Sequence, residues 1–190
     1  KRVEALAGEI AKVIGADVPK AMLAAKLCKA DLVTGMVGEF PELQGLMGRY
    51  YAAADGESEQ VATAVGEQYL PRFAGAVLPA SPAGMALAIA DKLDMLAGNF
   101  ALDRKPTGSR DPFGLRRAAL GLVRIIIEQE LDFDLDDLLV SAVKAQPATT
   151  TDHQELPESI REFIVERLRA WYLERPGFGA EMFEAVRCKR

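Results

Sequence analysis

Apolar residues recur at helical spacing along most of this 190-residue chain. Residues 1–14 place Val3, Leu6 and Ile10 on one stripe, and Gly15 follows at a position typical of a helix end. A helix from Pro41 ends before the Asp55-Gly56 turn. The same spacing, interrupted by Gly and Pro, predicts further helices over about 19–37, 58–69, 82–100, 112–130, 134–145, 157–173 and 180–186. No segment has convincing strand periodicity, so the pattern predicts an all-α fold.

Two segments between these helices are a connector and a polar loop. Residues 72–81 form a connector, and Ser81 followed by Pro82 is typical of a helix N-cap with proline in the first turn. Residues 103–112 form a polar loop rich in Pro, Gly and Ser. The buried face of the following helix is predicted to consist of Leu115, Ala118, Ala119, Leu122, Val123 and Ile126.

Composition excludes several classes of function. Apolar residues make up 49% and charged residues 27%, which is typical of a globular domain. His153 is the only histidine, so multi-histidine zinc sites are excluded, and the two cysteines match no metal or disulfide framework. The amphipathic, charged start resembles no signal peptide, and no apolar run suits a membrane span, so we expect a cytoplasmic protein. The lack of an initiator Met suggests a piece of a longer chain.

Acidic residues in and near the segment ALAIADKLDMLAG (86–98) allow two interpretations. Asp91 and Asp94 are three residues apart, so both can face the same side of a helix. With Asp31 and Asp55 they could bind a hard cation such as Mg²⁺ if their helices meet around a cleft. The alternative is that these residues form a solvated or salt-bridged stripe on the helix surface. We favour this alternative because pairs of acidic residues usually face solvent.

A basic run lies in this otherwise acidic chain, whose net charge is −5. Between residues 104 and 124 there is only one anion, Asp111. Arginine, with the hydroxyls, backbone N–H groups and helix N-terminus of the PTGSRDP loop, suits phosphate. The alternative to phosphate binding is that these arginines are solvated and form structural salt bridges to the acidic segment nearby. The six cations are Arg104, Lys105, Arg110, Arg116, Arg117 and Arg124.

Four segments together resemble one known family. They are KADLVTGMVGEFPELQGLMGRYYAAADGE (29–57), EQYLPRFAG (67–75), ALAIADKLDMLAG (86–98) and PTGSRDPFGLRRAALGLVRIIIE (106–128). These long, ordered, ungapped segments resemble the beta subunit of bacterial heterotetrameric glycyl-tRNA synthetase. The resemblance is close over about residues 1–145 and looser in the tail.

The resemblance implies an excised central portion of the beta subunit with an HD-domain-like helical bundle. It implies an HD-like domain over 1–145, a linker over 146–156 and a helical C-terminal extension over 157–190, the start of the following region. The His-Asp doublet of the HD phosphohydrolase superfamily aligns with Ala54-Asp55, and the last Asp of that superfamily's metal motif aligns with Asp91. Asp55 and Asp91 are thus remnants of a metal motif without its histidines, so we expect no metal site and no catalytic residue here.

The resemblance also implies a function and partners. The family's alpha subunit carries the aminoacylation site, which uses ATP and Mg²⁺, so we expect no cofactor in this fragment. We expect a tRNA-binding or scaffolding domain that supports ATP-dependent aminoacylation of tRNA-Gly, with the six cations touching phosphates. Its partners would be tRNA-Gly, the alpha subunit and the other domains of the beta subunit. The alternatives are a residual HD-type metal-dependent phosphohydrolase and a purely structural inter-domain spacer.

Overall fold

The computed structural model describes residues 1–147 and 155–188, and within these ranges the chain is all-α. Two short 3-10 turns, Ala30–Val33 and Pro41–Leu43, supplement the α-helices. The helices are α1 (Arg2–Val13), α2 (Val18–Leu27), α3 (Gly35–Glu39), α4 (Leu46–Ala54), α5 (Glu59–Glu67), α6 (Pro82–Ala101), α7 (Leu115–Glu128), α8 (Leu135–Lys144), α9 (Leu156–Leu173) and α10 (Ala180–Arg187).

Helix α6 is the centre of the fold. It packs against α1, α2, α5, α7, α8 and α9. Its sequence is apolar on almost every side, and a helix of that kind is stable only when it is surrounded. Leu87, Ile89, Leu93 and Leu96 are fully buried in the core that results.

The strongest helix predictions are confirmed. Helix α6 begins where expected, because Ser81 Oγ accepts a hydrogen bond from the backbone N–H of Gly84 at 3.0 Å. Helix α8 has an acidic start, as predicted, and Asp134 caps it. The predicted buried face of α7 is buried, except that Ile126 is only partly so.

The prediction of one helix over 19–37 is wrong. Helix α2 ends at Leu27, a 3-10 turn follows, and α3 begins at Gly35. The chain leaves the helical path because the buried Asp31 side chain turns toward α4. Its Oδ2 accepts hydrogen bonds from the backbone N–H groups of Gly45 at 2.6 Å and Gly48 at 3.1 Å. The same contact caps α4, which begins at Leu46 and not at Pro41 as predicted.

The C-terminal helices are attached to the bundle in different ways. Helix α9 packs against α6, α7 and α8 and buries Leu156, Ile160 and Ile164 in the common core. Helix α10 contacts α9 and buries no residue. Of the predicted linker, residues 148–154, with His153, lie outside the described residues. No helix of the described ranges is both long and apolar enough to cross a membrane.

Candidate nucleic-acid interface

The loop before α7 is held in a defined conformation by its own hydrogen bonds. Thr107 and Arg110 exchange backbone hydrogen bonds of 3.2 and 2.9 Å, which closes a turn around Gly108. Arg116, in the first turn of α7, donates from Nη2 to the carbonyl oxygen of Gly108 at 2.7 Å. The loop therefore presents Arg110 from a turn that is tied to the helix.

The N-terminus of α7 is already occupied by Asp111. Its two carboxylate oxygens accept hydrogen bonds from the backbone N–H groups of Leu115 at 2.8 Å and Arg116 at 2.9 Å. A carboxylate at this position satisfies the groups that would otherwise bind an anion. The N–H groups of Leu115 and Arg116 are therefore not free to bind a phosphate, contrary to the expectation from the sequence.

Four of the predicted cations are exposed, and we call them the basic surface: Arg104, Lys105, Arg110 and Arg117. The Arg104 guanidinium lies 5.5 Å from the centre of the Phe113 ring, and Lys105 Nζ donates to Ser159 Oγ on α9 at 3.0 Å. Within 1–147 and 155–188, no acidic side chain forms an ion pair with any of the four. Their charge is therefore available to an anionic partner.

Arg124 does not belong to this surface. Only 8% of it is exposed, and its Nη1 donates to the carbonyl oxygens of Ala74 at 2.6 Å and Ala76 at 2.9 Å. Its Nε donates to Glu128 at 2.7 Å, and this hydrogen bond lowers the pKa of the Glu128 carboxyl. Arg124 thus fastens the 72–81 connector to α7. Local sequence does not indicate this role, because the carbonyls that Arg124 binds lie about fifty residues away along the chain.

The acidic residues of α6 form ion pairs within the protein. Asp91 Oδ1 lies 2.7 Å from Lys29 Nζ. Burial lowers the pKa of Lys29, but Asp91 outweighs it and the net pKa is raised, so the ammonium stays charged. Asp94 binds the Arg2 guanidinium at 2.7 Å and accepts a hydrogen bond from Gln146 at 3.0 Å. These contacts join α6 to the residue after the C-cap of α2, to the start of α1 and to the segment after α8.

The residues do not fit the metal site of the HD superfamily. Asp55 is exposed at the end of α4, preceded by Ala54 in place of a histidine. Asp91 is paired with the Lys29 ammonium, and a second cation beside that pair would be repelled. Across the described residues, no three His, Cys, Asp or Glu side chains are grouped to hold a metal ion.

Lys92 is a notable residue that the sequence did not single out. Only 6% of it is exposed. Its Nζ donates to the carbonyl oxygen of Leu70 at 2.6 Å, and burial lowers its pKa to about 8 although Asp91 acts to raise it. Its neighbours three and four positions away along α6, which are Ala88, Ile89, Met95 and Leu96, are all apolar and were the available signal.

Comparisons with known proteins agree with one another. A family model described as glycyl-tRNA synthetase beta subunit matches residues 1–187. Glycine–tRNA ligase beta subunits of Chromohalobacter salexigens and Klebsiella pneumoniae are 49% and 50% identical to this chain over 189 residues. The beta subunit of Proteus mirabilis is 49% identical over the same length. Each match covers 100% of this chain but only 27% of the relative, so the chain spans about a quarter of their length.

Proposed function

Because this chain belongs to the glycyl-tRNA synthetase beta-subunit family, we propose that it is a tRNA-binding and scaffolding domain of a glycine–tRNA ligase. It supports ATP-dependent aminoacylation of tRNA-Gly from the beta subunit, while the active site, with its ATP and Mg²⁺, lies in the alpha subunit. The domain has no catalytic residue of its own. Its partners are tRNA-Gly, the alpha subunit and the other domains of the beta subunit, in the cytoplasm.

The observation that carries this proposal is the basic surface. In a chain of net charge −5, four exposed cations lie close together in sequence, without acidic partners among the described residues. Phosphate contacts dominate nucleic-acid affinity, and Arg and Lys supply most of them. Phe113, which is 43% exposed beside Arg104, adds an aromatic face of the kind on which unpaired RNA bases stack.

Arg110 and Arg117 are the most informative positions to change. Arg116 binds a loop carbonyl and Lys105 binds α9, so replacing either would also disturb the fold. In the assembled alpha–beta enzyme, Arg110→Ala with Arg117→Ala is expected to weaken tRNA binding. It should also reduce the slope of log affinity against log salt by about two, one for each lost phosphate contact.

The matched control is Lys12→Ala with Lys26→Ala, which removes the same charge from α1 and α2. Both lysines are exposed, and among the described residues neither forms an ion pair. The control is expected to leave the salt slope unchanged. If both double variants bind tRNA with the same affinity and slope as the parent enzyme, the basic surface makes no phosphate contact and the domain is a structural spacer.

A further inference from the structure

An open apolar groove lies between α7, α9 and α10. It has a volume of about 830 Å³, and its walls include Ile126 and Ile127 of α7, Leu168 of α9 and Met182 of α10. The two walls on α9 and α10 meet where Tyr172 contacts Phe183, with ring centres 6.2 Å apart. A concave surface of this size and composition is typical of a binding site and not of ordinary protein surface.

Helix α10 lacks the packing that a short helix requires. It has eight residues, buries none of them, and leaves Met182 56% and Val186 73% exposed. A helix of this length is unstable in water without a packed apolar face. Its attachments to α9 are the Arg169–Glu184 ion pair at 3.2 Å and the Tyr172 ring contact. A further apolar layer over the groove would supply the missing packing.

The groove is unsuited to nucleic acid. Asp136 and Glu162 line it beside Arg161 and Arg187, so it presents charges of both signs around an apolar floor. Carboxylates would repel a phosphate backbone, and apolar side chains offer it no hydrogen bonds. A large apolar contact is instead typical of permanent protein interfaces, which resemble a domain core cut in two.

We propose that this groove is filled by a segment of the same beta-subunit polypeptide that lies outside residues 1–190. Most of the polypeptide of the relatives lies outside the region matched by this chain. Because such a segment belongs to the same polypeptide, its covalent connection raises its effective concentration at the groove above that of a separate partner. The inference rests on family membership and is independent of tRNA binding, so the two proposals fail separately.

The test uses hydrogen exchange on the full-length beta subunit, with Val186→Asp as the variant and Val77→Asp as its control. Both valines are 73% exposed in this domain, but only Val186 lines the groove. Val186→Asp is expected to accelerate exchange at least tenfold in α10 and in one segment of the beta subunit outside residues 1–190, with α6 unchanged. Val77→Asp should accelerate neither.

A photo-crosslinker in place of Met182 provides a second measurement that leaves the groove uncharged. It is expected to form a crosslink with a peptide of the same beta subunit that lies outside residues 1–190. Crosslinks only to added alpha subunit, or only to a second beta subunit with protection that depends on concentration, would assign the groove to that partner and overturn the proposal. Equal exchange for both valine variants would also overturn it.

Discussion

Two lysines beside the same carboxylate have opposite acid–base properties. Lys29 pairs directly with Asp91 at 2.7 Å, and its pKa is raised. Lys92 follows Asp91 in α6 but points into the bundle, where it donates to the Leu70 carbonyl and burial lowers its pKa to about 8. An ion pair thus stabilises the charge of one lysine, while loss of hydration destabilises the charge of the other.

This difference predicts an alkaline gain in stability that depends on Lys92. Because its folded-state pKa of about 8 is below the unfolded value of 10.5, the native state releases this proton first, and stability rises as pH increases from about 8 to 10. The full shift corresponds to about 3 kcal/mol. We expect the free energy of unfolding of the parent, minus that of Lys92→Met, to increase over this window.

Denaturant unfolding of both proteins at pH 7 to 10 checks this prediction. Cys28, whose pKa burial raises to about 11, lowers stability above its unfolded pKa, but it does so in both proteins and cancels in the difference. A difference that is independent of pH would show that Lys92 keeps its ordinary pKa and is hydrated.

At the scale of elements, one side chain organises the break between α2 and α4. Asp31 is 1% exposed, and the two N–H groups that it binds, from Gly45 and Gly48, have no other carboxylate to replace it. Gly48 is also confined, since a Cβ there would lie 2.9 Å from Val65 and 3.2 Å from Asp31. The N-terminus of α4 therefore depends on a residue fourteen positions upstream.

Asp31→Ala is expected to lower the free energy of unfolding by about 2–3 kcal/mol, because it removes a helix cap and leaves buried donors unpaired. Amide exchange at Gly45 and Gly48 should accelerate more than exchange in α6. Asp17→Ala removes the exposed cap of α2 and should cause a smaller loss. Equal losses for the two variants would contradict the role given to Asp31.

The helices that depend on local signals could be predicted, and those that depend on distant contacts could not. Helix α6 follows from its Ser81 cap and continuous apolar sequence. The end of α2 depends on Asp31 reaching Gly45, and no local pattern encodes that contact. Clustering in sequence indicated the basic surface, yet the burial of Arg124 depends on the carbonyls of the 72–81 connector.

At the scale of the whole molecule, helix α9 links the two proposed surfaces. Its Ser159 accepts a hydrogen bond from Lys105 of the basic surface, and its Ile164 and Leu168 line the apolar groove. Ile160 and Ile164 anchor the helix in the core around α6. Taken together, the two proposals would let the exposed cations bind RNA while the apolar groove fixes the domain within the beta subunit.

The central claim is that the basic surface contacts tRNA, and site-specific photo-crosslinking in the assembled enzyme tests it most directly. The crosslinker replaces either Phe113, beside Arg104 of the basic surface, or Phe178, which lines the groove; in this domain they are 43% and 47% exposed. Phe113 is predicted to crosslink to tRNA-Gly and Phe178 to protein alone. No RNA crosslink at Phe113 in an enzyme that still aminoacylates tRNA, or equal RNA crosslinking at both positions, would contradict the account.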